Sequence, residues 1–263
     1  MELAGAIAEL ARASLIHDFR YIDPSNARII LIEAGPRVLP TFSEKSSASA
    51  RRALERLGVE ISTGRTVTAC DADGVEVGGE RIAAGTILWA AGVAASPVAK
   101  WLDAPADRAG RVAVRADLSV PGHPEIFVVG DACASLSWDG KLAPGVAPAA
   151  KQMGAYAASV IRARVEGASA PAPFRYRHRG SLATIGRNNA VADFGWMTLS
   201  GRPAWLVWSV AHIFFLIGFG SRIVVALDWL WAYATFRRGA RIILAETTDP
   251  TTNSRLAPEA VQA

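Results

Sequence analysis

Apolar residues recur at helical spacing from the first positions of the chain. Leu3, Ile7, Leu10 and Leu15, with alanines between them, predict a helix that has no capping residue before it. A continuous apolar run follows, Arg28-Ile29-Ile30-Leu31-Ile32-Glu33, of the kind that parallel strands show when both faces are covered. Thr41 to Glu44 reads as a capping box for a helix that stops at Gly58, and Val59-Glu60-Ile61 reads as the next strand. Strand, helix and strand in that order form the repeating unit of a doubly wound α/β sheet.

From Arg65 to Trp89 the apolar period shortens to two. Asp73-Gly74 and Gly78-Gly79 supply turns, so this stretch reads as a small antiparallel meander inserted in the unit. Thr86-Ile87-Leu88-Trp89 returns to the sheet and ends at Ala90-Ala91-Gly92. A polar linker from Asp103 to Arg111 leads to a buried strand, Ile126 to Val129, with His123-Pro124-Glu125 read as the turn before it. Pro144, Gly145 and Pro148 open a helix over Ala149 to Ala163, with proline in its first turn. Pro171 and Pro173 mark a boundary. Beyond it, Leu182 to Ile185 and Ala190 to Phe194 read as strands joined by Asn188-Asn189. The stretch from Trp205 to Leu244 is mostly apolar and helical. The expected domains are therefore 1–95, 96–170 and 171–263.

Between Arg202 and Arg222 there is no charged residue, a length just sufficient to span a bilayer. His212, Gly218 and Gly220 count against a span, and Asp228 interrupts the next apolar run. Trp205, Trp208, Trp229, Trp231 and Tyr233 suit an interfacial belt, and Arg237, Arg238 and Arg241 suit anionic headgroups. The reading favoured is helices lying in the membrane surface; a true span and a buried helix pair are the alternatives.

Composition adds limits. The chain has 263 residues and is 51% hydrophobic, high for a soluble enzyme. A net charge of +4 fits anionic cofactors or an anionic membrane surface and does not call for nucleic acid. Two cysteines, Cys70 and Cys133, with no C-x-x-C, fit a reducing cytoplasmic location, and the N-terminus lacks the basic region of a signal peptide. The histidines show no metal-ligand spacing, so no metal is expected.

The chemistry concentrates in Ile126-Phe127-Val128-Val129-Gly130-Asp131-Ala132. A buried strand followed at once by Gly and Asp fixes the carboxylate at the C-terminal edge of the sheet, where open α/β sheets bind ligands. Gly130 permits close backbone approach, and Asp131 can accept hydrogen bonds from sugar or ribityl hydroxyls. The second informative stretch is Gly145 to Gly154. Its helix start offers unpaired N–H groups and a positive dipole end.

Several segments, in order, carry a resemblance: Glu2-Leu3-Ala4-Gly5-Ala6-Ile7-Ala8-Glu9, Glu33-Ala34-Gly35-Pro36-Arg37-Val38-Leu39, Ala90-Ala91-Gly92-Val93, Gly130-Asp131-Ala132-Cys133 and Ala147-Pro148-Ala149-Ala150-Lys151-Gln152-Met153-Gly154, followed by the apolar C-terminal region. Over nearly the whole chain this order resembles the type II, non-proton-pumping NADH:quinone oxidoreductases, two-dinucleotide-domain flavoproteins. The resemblance implies FAD, NADH, a quinone acceptor and a peripheral, monotopic place on the cytoplasmic face of a membrane. It is compatible with a homodimer. It implies a truncated NADH-binding domain at 1–95, the returning segment of the FAD-binding domain at 96–170, and membrane-anchoring helices within 171–263.

Site roles follow from the same resemblance. Gly130, Asp131 and Ala147 are expected to face FAD. Glu33 is expected to hold the adenosine ribose hydroxyls and to repel a 2′-phosphate. Ala91 and Gly92 would let the nicotinamide approach the flavin, or serve a tight turn that needs glycine. Glu2 would lie between the two ring systems, or be a helix-surface acid. Gln152 would bond a quinone carbonyl and Lys151 would help deliver protons, or both would belong to a solvated helix face. Family members carry two G-x-G-x-x-G loops and this sequence has neither. The chain is therefore expected to be the C-terminal part of a longer protein, and alone neither to retain FAD nor to oxidise NADH. The rivals are a ferredoxin or sulfide:quinone reductase of the same architecture, with Cys133 the only thiol by position, and a membrane-associated scaffold with no activity of its own.

Overall fold

The computed structural model describes residues 1–235 apart from positions 17 and 138. Two compact units are present. One comprises Met1–Thr66, Leu182–Asp193 and the segment from Thr198, and the other comprises Val67–Ser181 and Phe194–Met197.

Unit 1 begins with helix α1 (Glu2–Glu9), which runs into a π-helical turn at Leu10–Ser14. Strand β1 (Ile29–Glu33), helix α2 (Glu44–Arg56) and strand β2 (Val59–Thr63) make the expected crossover. The two strands are parallel, Ile29 opposite Val59 and Glu33 opposite Thr63. The fold is thus α/β with a Rossmann-like unit. β1 is only half-buried along its length, because in the described residues its sheet has two strands. The cap of α2 is Ser43, not Thr41: its hydroxyl accepts from Ser46 N–H at 3.4 Å. The buried face of α2 is built from small residues, Ser46, Ser47, Ala50 and Ala53, with Leu54 as its one large side chain.

Unit 2 starts with the meander, β3 (Val67–Asp71), β4 (Gly74–Val77) and β5 (Glu80–Ala83), antiparallel and turned where the glycines are. The strand expected at Thr86–Trp89 does not form. This stretch has no regular structure and no ladder partner among the described residues, and Leu88 and Trp89 stand exposed. An extended run without a neighbour to take its N–H and C=O groups gains nothing from being a strand. After a short helix α3 (Val98–Trp101), β6 (Val112–Ala113) pairs in parallel with β9 (Cys133–Ala134), and β7 (Ser119–Val120) pairs antiparallel with β8 (His123–Phe127). His123-Pro124-Glu125 is therefore the start of a strand, and the turn is Pro121-Gly122 before it. The strand also stops two residues earlier than expected; Val128 is buried but Val129 is exposed. Helix α4 (Ala147–Glu166) then crosses the unit and buries Ala149, Met153, Ala157, Val160 and Ala163. Its Arg164 reaches Asp117 at 3.0 Å and lies 4.9 Å over the Phe127 ring, which ties the helix to the β7–β8 hairpin.

The chain returns to unit 1 with β10 (Ser181–Thr184), β11 (Ala190–Asp193) and β12 (Thr198–Gly201), in that sheet order. The third of these strands, Thr198–Gly201, is absent from the pattern reading because its four residues alternate only twice. Helices α5 (Arg202–Phe214) and α6 (Phe219–Thr235) follow. Trp208 stacks on Trp229 at 5.6 Å, and Trp205 meets Tyr233 at 5.4 Å. The part of the expected helical stretch from position 236 to Leu244, with Arg237, Arg238 and Arg241, lies outside the described residues.

Helix α1 docks on the β10–β11 turn through two carboxylates. Glu2 accepts from Thr184 N–H at 2.8 Å, and Glu9 accepts from Arg187 N–H. Gly186, at φ 70°, passes so close that a Cβ there would lie 2.7 Å from the Glu9 carboxylate. Gly186→Ala is expected to cost about 3 kcal/mol, from a left-handed backbone and a displaced carboxylate together. Gly167→Ala, at φ 66° with open space around it, is expected to cost only about 1 kcal/mol. Urea unfolding of both variants checks the difference; equal costs would remove the close contact from the account.

Candidate functional site

In unit 2 the site forms where the Gly130–Ala132 turn meets the start of α4. Gly130 sits at φ 72°, which L side chains rarely adopt, and its N–H points to the Met153 sulfur at 3.1 Å. A Cβ on Gly130 would lie 3.5 Å from that of Ala150, so glycine is required by the backbone angle more than by space. Asp131 is exposed, and the backbone of Gly145 passes beside it: a Cβ on Gly145 would be 3.4 Å from Asp131 Oδ1. The carboxylate, the Gly145 turn and the first residues of α4, Ala147 and Pro148, thus share one edge. The N-cap of α4, Val146, has no polar side-chain atom to offer the helix, and no acid lies in the first turn. The positive end of a 20-residue helix is presented there without an acid of its own first turn to neutralise it.

Lys151 and Gln152 are one turn further on. Lys151 is exposed. Gln152 is engaged at both ends of its amide: it donates to the Arg177 carbonyl and accepts from the Arg177 N–H, each at 3.0 Å. That geometry holds the segment 174–179 against α4 and leaves Lys151 as the polar side chain of the pair that faces outward. The segment alternates, with Phe174 and Tyr176 buried and Arg175, Arg177 and Arg179 exposed. The Tyr176 hydroxyl meets His178 Nδ1 at 3.2 Å, and burial raises its pKa. This stretch escaped the sequence reading, although its period-two pattern is visible in Phe174-Arg175-Tyr176-Arg177.

Cys133 ends the turn. It is buried, and burial pushes its thiol up to about 11. Ala91 and Gly92 lie in the exposed irregular stretch of unit 2, with nothing within 4 Å of a Cβ placed on Gly92. Among the described residues no hydrogen bond links them to Asp131.

In unit 1, Glu33 ends β1, as the apolar run predicts. One carboxylate oxygen accepts from Gly35 N–H at 2.8 Å, and the Gly35 carbonyl in turn accepts from Gly64 N–H at 2.8 Å. Glu2 lines an open cleft of about 410 Å³ with Met1, Leu3, Leu39, Phe42, Leu182 and Ala183. Its bond to Thr184 N–H gives it a structural task whatever else it does. Among the described residues no cluster of His, Cys, Asp and Glu could hold a metal ion.

Comparison with known proteins adds the following. Residues 1–154 match the family model described as pyridine nucleotide-disulphide oxidoreductase, and residues 178–238 match the one described as NDH2 C-terminal domain. The chain is similar to two type II NADH:quinone oxidoreductases of Mycobacterium tuberculosis. To Ndh it is 43% identical over 251 residues, which covers 91% of this chain and 53% of that protein. To NdhA it is 42% identical over 259 residues, covering 94% and 54%. The chain thus spans about half the length of these relatives. Its fold is similar to NDH2 of Plasmodium falciparum, solved in complex with NADH, with a TM-score of 0.78 at 20% identity, covering 90% of this chain and 64% of that one.

The thiol chemistry of the site yields a measurable expectation. Only a thiolate is alkylated at an appreciable rate. Cys133 is buried with its pKa raised to about 11, and Cys70 is exposed. At about pH 8 iodoacetamide is therefore expected to label Cys70 and spare Cys133 in the folded protein, with Cys133 labelled only as the pH approaches its own pKa or on unfolding. Peptide mass mapping checks this, and rapid labelling of Cys133 under the same conditions would contradict the burial.

Proposed function

Because this chain belongs to the pyridine nucleotide-disulphide oxidoreductase family, and within it to the type II NADH:quinone oxidoreductases, we propose that it is the part of such an enzyme that binds NADH, closes the FAD site and meets the quinone. The observation that carries this reading is the meeting of Gly130-Asp131, the Gly145 turn and the uncapped start of α4.

These residues fit a flavin. Gly130 keeps the turn low against Ala150, so a flat ligand can approach the backbone. Asp131 offers an exposed carboxylate to ligand hydroxyls, and the start of α4 favours negative charge. FAD bound there would supply the two-electron redox chemistry that links NADH to the acceptor. Glu33 would take the adenosine ribose of NADH, and a carboxylate at that place repels a 2′-phosphate. Lys151 would hold a proton near the acceptor as quinone is reduced to quinol. Gln152 enters this scheme as the group that fixes the 174–179 segment beside Lys151, in place of the direct quinone contact expected from sequence. Ala91, Gly92 and Glu2 keep their expected roles in the proposal, as do the domain limits 1–95, 96–170 and 171–263. The buried thiol of Cys133 is poorly suited to the redox role that a sulfide:quinone reductase would require.

The place of action we propose is the membrane surface on the cytoplasmic side. No helix among the described residues is long and apolar enough to cross a membrane. Helix α5 nevertheless exposes Leu206, Val210 and Phe214 at four-residue spacing, and α6 exposes Val224, Leu227 and Trp231. Apolar stripes of this kind suit helices lying in the interface.

Two experiments test the proposal. In the holoenzyme, Asp131→Ala is expected to weaken flavin retention about 10-fold or more, the value of a hydrogen bond to a charged group. Flavin absorbance after gel filtration measures it, and full retention would remove Asp131 from the site. Leu206→Glu with Val210→Glu is expected to release most of the protein from vesicles while flavin content stays unchanged. Unaltered cosedimentation of that variant would place the membrane contact elsewhere.

A further inference from the structure

The loop after Glu33 contains an arginine to which the proposed function gives no role. Residues 34–42 form no helix or strand, yet the loop is held by its own hydrogen bonds. The half-exposed guanidinium of Arg37 donates to three carbonyls: Leu39 at 3.3 Å, Pro40 at 2.9 Å and Phe42 at 2.7 Å. Leu39 stands at φ 52°, a left-handed backbone that costs about 1–2 kcal/mol in a residue with a Cβ. Its carbonyl also accepts from Phe42 N–H, and the Val38 carbonyl accepts from the buried Ser47 hydroxyl at 2.6 Å. Arg37 makes no ion pair among the described residues. A permanently charged, rigid fork that turns onto its own chain fixes the shape of that chain.

What it fixes is next to Glu33. Gly35, two residues before Arg37, donates to Glu33 Oε1 at 2.8 Å and is held at its carbonyl by Gly64. There is little slack in this arrangement, since a Cβ on Gly35 would lie 3.1 Å from the same oxygen. The second carboxylate oxygen makes no bond to a described residue, which leaves it for a ligand hydroxyl.

We propose that Arg37 is a positioning residue for dinucleotide choice. By stapling Leu39, Pro40 and Phe42 it holds the loop, and through Gly35 N–H it sets the Glu33 carboxylate in the orientation that meets a ribose 2′-hydroxyl and turns away a 2′-phosphate. This inference rests on the ribose role of Glu33 given above.

The test is a double-mutant cycle in the holoenzyme, with NADH and NADPH oxidation followed against a water-soluble quinone. Arg37→Gln is expected to raise KM for NADH about 10-fold, to leave kcat within about twofold, and to narrow the preference for NADH over NADPH. In a Glu33→Gln background the same change is expected to alter KM by less than about twofold, because the group it acts through is gone. Arg37→Lys keeps the charge and loses the fork, so it is expected to follow Arg37→Gln; it also serves if the glutamine variant fails to fold. Equal effects of Arg37→Gln in both backgrounds would show an independent structural role and overturn the proposal. So would a wild-type KM in Arg37→Lys. A Glu33→Gln variant with unchanged KM and unchanged preference would overturn the ribose reading itself, and is told apart because Arg37 is intact in it.

Discussion

A parallel pair of strands leaves its faces to be covered by other parts of the chain, and that requirement organises everything around β1 and β2. Helix α1 packs on both strands, and α2 packs on β2. The same helix also meets β11 and β12, whose other neighbour is α5. The buried face of α2 and the residues of α1, β2, β10 and β11 that meet it form one core. The arrangement works because α2 is narrow. Ser46, Ser47, Ala50 and Ala53 let sheet and helix approach, and Ser47 resolves its burial by donating to the Val38 carbonyl. Larger side chains at these positions would push the layers apart and overpack the core.

The same layering decides where chemistry can sit. Glu33 is carried to the end of β1 by five consecutive ladder residues, so its position follows from the pairing with β2. Asp131 has no such rail. It stands on a three-residue turn, held by a glycine angle, a sulfur contact to Met153 and the approach of Gly145. One site is positioned by a sheet, the other by a helix end and two glycines.

This difference explains what could be read in the sequence. The parallel unit was legible because the apolar run Ile29 to Ile32 and the alternating Val59-Glu60-Ile61 are separated by a helix of the right length. The meander was legible because its turns are marked by glycine. Gly130-Asp131 was legible as a motif, although the strand before it stops at Phe127. The strand expected at Thr86–Trp89 failed because an apolar run states a preference and not the presence of a partner. Ser43 was missed as a cap because Thr41 offers the same hydroxyl two residues earlier, and only the Asp193 carboxylate, 150 residues along the chain, accepts from the Ser43 N–H and fixes the entry of the helix. Contacts of that kind, like those of Glu2 and Glu9 with the β10–β11 turn, are set by tertiary structure and leave no local signal.

The amide of Gln152 reads the backbone of Arg177, not its side chain. It does for an extended segment what a neighbouring strand would do, with one donor and one acceptor at strand-like distance. The consequence is an asymmetry in how the two positions can change over evolutionary time. Residue 177 can drift through most of the amino-acid alphabet, proline excepted, and still be gripped. Residue 152 has almost no substitute, because only asparagine also presents a carbonyl and an NH2 side by side, and asparagine is one methylene too short. Residues 174–179 are thus held in two ways: by Phe174 and Tyr176, whose side chains are buried and whose N–H groups donate to Ala116 and Leu136, and by one helix position that grips the backbone between exposed arginines.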